Sequence, residues 1–320
     1  MMKRLLPPLR SSPKVVVLAA LWLVVAGSLV IAAPGIAQPA IVTSILQFST
    51  ILALVSLGQA LVVLCGGAGI DLSVGGTVSL ASVLTMLAVK IGVPAVLIPV
   101  ICPLIGVALG AFNGWLITRL RLLPLIATLG TLYVYSGLAL SLTGGAAQPG
   151  VPAWLIPWGR GALFGIPLHF LSAVILAFAI AAAVLGPSAW GRWIYAMGYN
   201  ERAARLVGIP VDRTRFIVYC TSGFLAGVAA LVSLAWLGSA RPNIGQNLEL
   251  ESLTAILLGG IGIFGGTGGV IGVLAAVLLL VTLKTGLQFV NVSSVWQVGV
   301  VGLLLIFVLL IDRFSLRRRP

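Results

Sequence analysis

Few residues of this 320-residue chain could do chemistry, and Asp71 is the most prominent of them. It stands in the stretch GGAGIDLSVGG at 66–76, between two long apolar runs, with Ser73 two positions further on. If those runs cross a membrane, a carboxylate at a helix centre costs about 2.5–3.5 kcal/mol, so it usually has a partner or a function. Two interpretations stay open: Asp71 lines a pathway, or it is an N-cap at the cytoplasmic interface for the next helix.

Sets of residues typical of enzymes are absent from the sequence. It holds no GxxxxGK[ST], HExxH or GxSxG motif, so P-loop binding of ATP is excluded. Gly260–Gly265 formally matches GxGxxG, but it lacks the acidic residue and the strand–helix–strand setting of a dinucleotide site. His169 has no companion at metal-ligand spacing. We therefore expect no catalytic residues, and no cofactor or metal bound by this chain.

The composition indicates the class of protein. Hydrophobic residues make up 60% of the chain and charged residues only 8%, whereas soluble domains carry about 25% charged residues. Apolar runs of roughly 20 residues recur, each long enough to cross a hydrocarbon core of about 30 Å. We predict an all-α polytopic membrane protein with about ten transmembrane helices. Their approximate bounds are 15–33, 42–64, 72–89, 95–118, 124–142, 163–186, 215–238, 251–265, 269–287 and 295–312.

The net charge of +13 fits the positive-inside rule better than binding of nucleic acid. Basic residues precede the first predicted span, while the next loop, 34–41, has none. With both termini in the cytoplasm, only Lys90, Arg160, Arg241 and Lys284 of the 19 basic residues lie outside. We predict a cytoplasmic N-terminal tail (1–14), a single transmembrane domain (15–312) and a basic cytoplasmic tail (313–320).

Two glycine-rich stretches, 66–76 and 259–269, interrupt the apolar runs and align without gaps. The alignment indicates an internal repeat, and paired glycine-broken segments in two halves indicate a transport pathway. Irregular backbone at membrane depth survives only where protein or a water-filled cavity satisfies its polar groups. Since polar groups inside spans usually face a cavity, we expect five residues to line the path: Asp71, Ser73, Asn113, Thr128 and Thr131.

Small residues also recur four apart within two spans. They are Gly106, Gly110 and Gly114 in one span, and Gly223 and Gly227 in another. Such faces let helix backbones approach closely in lipid, where van der Waals contact replaces the hydrophobic drive. We expect these faces to pack against other helices.

A polar island, residues 188–215, lies between two apolar spans and contains a short predicted helix. Asn200 is a good N-cap, Glu201 suits the positive end of the helix dipole, and Gly208 can close the helix in the left-handed conformation. Its small apolar face, Ala203, Ala204, Leu206 and Val207 beside Arg202 and Arg205, suits recognition in a groove. The other interpretation is a surface-lying helix that only anchors the loop.

Four segments together resemble the ribose-type permeases of bacterial ABC importers. They are GIDLSVGG (69–76), FNGWLITRLRLLPLIATLGTLYVYSGL (112–138), GYNERAARLVGI (198–209) and LLGGIGIFGGTGGVIGVLAAVLLL (257–280). The resemblance covers roughly 45–315 and implies the inner-membrane component of a binding-protein-dependent transport system for a monosaccharide. It implies three partners: a second permease, identical or paralogous; cytoplasmic ATPase subunits that bind ATP and Mg; and an extracytoplasmic sugar-binding protein.

In such a permease the island helix looks like the coupling helix that docks in a groove on the ATPase. The resemblance assigns this coupling role to Gly198, Asn200, Glu201, Ala203, Ala204, Arg205 and Gly208. Tyr199 stands where a small residue is frequent, and the outer loop at 143–162 looks individual, so the sugar stays open. The alternative function is an ion- or proton-coupled secondary transporter of a small polar solute. Asp71 is its only plausible intramembrane coupling group.

Overall fold

The computed structural model describes residues 13–32 and 38–316. Most of the predicted N-terminal tail and the last four residues of the basic tail lie outside these described residues. The described chain is mostly helical, which confirms the predicted all-α class. Its helices are α1 (Pro13–Ala32), α2 (Pro39–Leu64), α3 (Val74–Lys90), α4 (Ile98–Thr118), α5 (Pro124–Thr143), α6 (Ile156–Arg160), α7 (Leu176–Leu185), α8 (Ala189–Tyr199), α9 (Glu201–Leu206), α10 (Val211–Leu237), α11 (Leu248–Leu258), α12 (Val270–Phe289) and α13 (Ser294–Leu316).

Several of these helices are long and apolar enough to cross a membrane. By length and composition, five helical segments of the described chain qualify, namely α2, α4 with the 3₁₀ turn Ala95–Leu97 before it, α5, α10 and α12. A sixth candidate is the bent pair formed by Phe170–Leu185 and α8, whose axes differ by 77°. Each predicted span contains helix, but the count of ten transmembrane helices and the cytoplasmic termini stay predictions.

The predicted span 163–186 is wrong at its start. Two short ribbons occur in loops of the described chain: β1 (Gln148–Pro149) pairs with β4 (Ser239–Ala240), and β2 (Ala162–Leu163) pairs with β3 (Ile166–Pro167). Helix in this region begins at Leu168, passes through a π-helical turn at Phe170–Ile175 and continues as α7. Pro167 explains the late start, because proline cannot donate the backbone hydrogen bond that a helix interior needs.

The polar island holds a second helix, α8, which the sequence patterns did not predict. Ser188 begins it, because its Oγ accepts a hydrogen bond of 3.0 Å from the backbone N–H of Gly191. The predicted span 251–265 likewise ends early, as α11 stops at Leu258. Gly260, Gly265, Gly266 and Gly268 all have positive φ. A right-handed helix cannot pass through residues in that conformation.

Glycine contacts bring α4 and α10 together. A Cβ at Gly106 would lie 2.2 Å from the carbonyl oxygen of Gly223, and one at Gly110 would lie 2.3 Å from that of Tyr219. A Cβ at Gly227 would lie 2.7 Å from the carbonyl oxygen of Cys102. The expected small-residue faces therefore pack against each other, and no larger side chain fits between these two backbones.

Candidate functional site

The predicted pathway residues are joined by hydrogen bonds into one chain of polar groups. Ser73 Oγ donates to Asp71 Oδ1 at 2.6 Å, and Asn113 Nδ2 donates to Ser73 Oγ at 2.7 Å. Thr131 Oγ1 donates in turn to Asn113 Oδ1 at 2.7 Å. The first glycine-rich stretch, α4 and α5 thus each contribute polar side chains. We call Asp71, Ser73, Asn113 and Thr131, together with Thr128 and Ser222, the polar network.

Thr128 on α5 and Ser222 on α10 complete the network. Thr128 Oγ1 donates to the carbonyl oxygen of Ile70 at 3.0 Å, one residue before Asp71. Ser222 Oγ donates to Asp71 Oδ2 at 2.9 Å. Sequence reasoning missed Ser222, although it directly precedes Gly223 on a face that was expected only to pack. Its position as a polar residue next to a small-residue face of an apolar helix was the signal in the sequence that could have identified it.

The network is enclosed by the chain. Asp71, Ser73, Asn113, Thr128, Thr131 and Ser222 each expose 4% of their surface or less. Asp71 accepts hydrogen bonds from two hydroxyl groups and from the backbone N–H of Ser73. No ion pair to Asp71 occurs among the described residues. The carboxylate is therefore held by neutral donors, one of which is the backbone N–H of Ser73, the residue directly before α3.

The short helix α9 has the caps that the sequence predicts. Asn200 Oδ1 accepts a hydrogen bond of 3.0 Å from the backbone N–H of Ala203, which confirms the N-cap. At the other end Gly208 adopts a φ of +82°. Its N–H donates to the carbonyl oxygen of Arg205, and that of Ile209 donates to Ala204, both at 3.1 Å. This paired closure satisfies carbonyl groups that the helix end would otherwise leave free.

The apolar face of α9 is divided between the interior and the surface. Ala204 is only 3% exposed and lies against the rest of the chain, so it is not on the outer face. Leu206 is 88% exposed and Val207 is 76% exposed, and Tyr199 before the helix is 85% exposed. Ala203 is exposed as well. The exposed apolar surface at α9 therefore keeps three of the four predicted residues, adds Tyr199 and lacks Ala204.

A chain of ion pairs attaches α9 to the neighbouring elements. Glu201 binds Arg205 at 3.0 Å and Arg215 at 2.7 Å. Asp212 binds Arg205 at 2.7 Å and Arg121 at 2.9 Å. Arg205 therefore lies between two carboxylates and is not a free cation. Sequence reasoning missed Arg121, Asp212 and Arg215, because ion pairing between segments depends on tertiary distances.

These pairs shift the ionisation of the α9 groups. The hydrogen bond from Arg215 holds the pKa of Glu201 below its usual range, and the neighbouring Arg205 acts in the same direction. Asp212 and Glu201 raise the pKa of Arg205. The side chains of Glu201 and Arg205 are therefore both charged near neutral pH.

The two glycine-rich stretches meet at the end of α8. The backbone N–H of Gly266 donates to the carbonyl oxygen of Leu64, the last residue of α2, at 3.0 Å. A Cβ at Gly198 would lie 2.1 Å from that same oxygen and 2.2 Å from the nitrogen of Gly266. A Cβ at Gly66 would lie 2.6 Å from the Cα of Gly198. Backbone contacts that only glycine allows thus hold these three segments together.

The profile of one protein family matches residues 41–309, a range that contains the polar network, both glycine-rich stretches and α9. Its description is "Branched-chain amino acid transport system / permease component". The chain belongs to this permease family. As a family member with several apolar helices of spanning length, it is a multi-pass protein of the inner membrane.

Named relatives cover most of the chain. A probable ABC transporter permease of Sinorhizobium fredii is 37% identical over 86% of this chain and 82% of its own length. The ribose import permease of Bacillus subtilis is 37% identical over 88% and 87%, respectively. The autoinducer 2 import system permease of Yersinia enterocolitica is 36% identical over 84% and 74%. No solved structure matches the chain significantly.

Proposed function

We propose that this chain is the transmembrane permease subunit of an ABC importer and forms the pathway for a monosaccharide or sugar-like solute. The carrying observation is its 35–37% identity, over at least 84% of its length, to permeases named for import of ribose and autoinducer 2. Hydrolysis of ATP is assigned to separate subunits, because the sequence has no P-loop. ATP and Mg would be bound there and not by this chain.

The polar network favours a sugar over an amino acid, although the family description names branched-chain amino acids. A zwitterionic amino acid brings one positive and one negative group, and both need charged or strongly polar partners when they leave water. The described network offers one carboxylate with hydroxyl and amide groups and no cation. These groups are enclosed in this structure, and after the proposed movement of the spans they would exchange hydrogen bonds with a neutral polyhydroxylated solute. The choice among sugars would lie mainly with the binding protein.

We assign docking on the ATPase to α9. The exposed side chains of Tyr199 and Val207, which flank α9, line a surface groove that also contains Tyr195 and Gly266. An apolar helix face of this size suits a groove on a partner protein. The caps at Asn200 and Gly208 support this assignment, because they keep a helix of only six residues folded. A loop that merely crossed the surface would not need them.

The mechanism we propose is alternating access. Closure of the ATPase subunits on ATP would move α9 and tilt the spans around the polar network, which opens the path to one side at a time. A second permease, identical or paralogous, would complete the pathway. A solute-binding protein outside the membrane would deliver the sugar.

The test is uptake by proteoliposomes that contain the permease with the ATPase and the solute-binding protein of the same transport system. We expect uptake of labelled D-ribose or autoinducer 2 that requires ATP inside the vesicle and the binding protein outside. Uptake that persists without the ATPase but collapses with the proton gradient would instead identify the ion- or proton-coupled secondary transporter. ATP-driven uptake of leucine, with none of either sugar, would refute the sugar assignment alone.

A further inference from the structure

The carboxylate of Glu201 joins two arginines in different surroundings. Arg205 on α9 binds it from the surface, with 40% of that side chain exposed. Arg215 on α10 binds it from within, and only 11% of the Arg215 side chain is exposed. The hydrogen bond from Arg215 Nη2 to Glu201 Oε2 measures 2.7 Å. Glu201 thus links the exposed helix α9 to a mostly buried arginine on α10.

The Glu201–Arg215 pair lies directly against the first glycine-rich stretch. A Cβ at Gly67 would lie 2.5 Å from Arg215 Nη2 and 3.0 Å from Glu201 Oε2. The ion pair therefore occupies the space that any side chain at Gly67 would take. The preceding residue, Gly66, touches the backbone of Gly198 at the end of α8. Gly66 and Gly67 are thus both in contact with residues of α9 or of the helices on either side of it.

The same stretch leads within a few residues to the polar network. Gly66, Gly67 and Ala68 have φ values of +72°, +66° and +54°. The N–H of Gly69 donates to the carbonyl oxygen of Gly66 at 3.1 Å, which closes the turn. Thr128 then holds Ile70, and Ser222 holds Asp71. A compact turn therefore connects the contact with the ion pair to the carboxylate.

We propose that the Glu201–Arg215 ion pair is the positioning link that carries movement of α9 to residues 66–71 and so to the Asp71 network. Arg215 is then a positioning residue, since it acts on the network through Gly67. The inference rests on the proposed function, because the ATPase subunits would supply the movement of α9.

Stability by itself does not account for this pair. Removing two charges from water is costly, and the cost is recovered only when every polar atom of the pair finds a partner. Arg215 Nε is buried and has no hydrogen-bond partner among the described residues. An incompletely satisfied buried pair is weak grounds for a purely structural role. A role in positioning gives a reason for an arginine at this place.

The experiment measures solute taken up per ATP hydrolysed, in proteoliposomes of the complete importer, with D-ribose or autoinducer 2 as the labelled probe. We expect Arg215→Gln and Gly67→Ala to lower this ratio about tenfold, within the range of coupling between distant sites. ATP hydrolysis and assembly with the ATPase should persist. Glu201→Gln is isosteric and lies nearer the surface, so it provides the same test if either variant fails to assemble. Arg215→Lys keeps the charge and should restore part of the ratio.

The matched control is Arg121→Gln, which breaks an ion pair with Asp212 in the same chain of pairs, whereas the atoms nearest to a Cβ at Gly66 or Gly67 belong to Gly198, Arg215 and Glu201. It should keep the wild-type ratio. An equal loss in Arg121→Gln, or normal ratios in Arg215→Gln, Gly67→Ala and Glu201→Gln, would overturn the inference and leave the proposed function standing. Absence of ATP-driven uptake in the wild type would overturn both.

Discussion

Ser222 Oγ on α10 donates a hydrogen bond of 2.9 Å to Asp71 Oδ2, across 151 positions of sequence. This bond fixes α10 to the first glycine-rich stretch at a point where both side chains are at least 98% buried. Gly58 on α2 makes room for it, because a Cβ there would lie 3.1 Å from Ser222 Oγ. Three elements therefore meet at one buried carboxylate.

We predict that Ser222→Ala destabilises the permease and slows uptake. The substitution leaves one oxygen of Asp71 without its donor, which costs about 1–3 kcal/mol for a buried polar group. Thermal unfolding of the detergent-solubilised protein should show a lower Tm. Thr221→Ala is the matched control, since its hydroxyl bonds only to the carbonyl oxygen of Ile217 in its own helix. Equal Tm values for the two variants would contradict the role of Ser222.

Alanine substitution in the network should impair transport. We expect Asn113→Ala and Thr131→Ala to lower uptake, because each removes a link in the chain of hydrogen bonds to Asp71. The same applies to Ala variants of Asp71, Ser73 and Thr128. The measurement is ATP-driven uptake together with the ATPase activity of the assembled complex. If both stay normal in all five variants, these residues do not line the path.

Gly198→Ala should prevent close approach of the two glycine-rich stretches. The added Cβ would lie 2.1 Å from the carbonyl oxygen of Leu64, well inside van der Waals contact. We expect lower yield of folded protein and loss of uptake, at a cost of about 1–3 kcal/mol for an overpacked site. Gly130→Ala is the control, because a Cβ there meets nothing within 4 Å. That variant should retain or slightly raise stability, since alanine suits a helix interior better.

Gly208→Val should uncouple ATP hydrolysis from uptake without preventing membrane insertion. A Cβ at Gly208 meets nothing within 4 Å, so the effect would come from the backbone φ of +82° and not from a clash. A non-glycine residue in this conformation costs about 1–2 kcal/mol, and the closure of α9 should be lost. Asparagine tolerates the left-handed region, so Gly208→Asn should stay coupled. Normal uptake per ATP in Gly208→Val would argue against a docking role for α9.

The pH dependence of stability should report the ion pairs of Glu201. Because the folded pKa of this residue is lowered from its ordinary value of 4.5, its contribution is fully present above that value. The contribution is lost as pH falls further, through the lowered folded pKa. Tm curves of the wild type and Glu201→Gln should therefore differ at neutral pH and converge in acid. A constant difference at all pH values would mean that the charge of Glu201 does not matter.

Local patterns in the sequence were sufficient for several of these features. The caps of α9 at Asn200 and Gly208 follow from residue type, because capping involves neighbours three or four positions away. The glycine faces of α4 and α10 follow from a spacing of four within single helices. The prediction of five polar pathway residues also used local sequence, because Asp71, Ser73, Asn113, Thr128 and Thr131 each stand within or beside an apolar run.

What the sequence by itself determined is the membrane class, the helical content and the capped helix, which depend on composition or short spacing, and the permease family, which followed from the resemblance of four segments. The tertiary structure decided which polar groups meet. Ser222 reaches Asp71, and Arg215 reaches Glu201 beside Gly67, only because α10 packs against the first glycine-rich stretch and α9. Hydrogen bonds and ion pairs form only when their atoms are about 3 Å apart. The number of residues between two positions in the sequence does not give their distance in space.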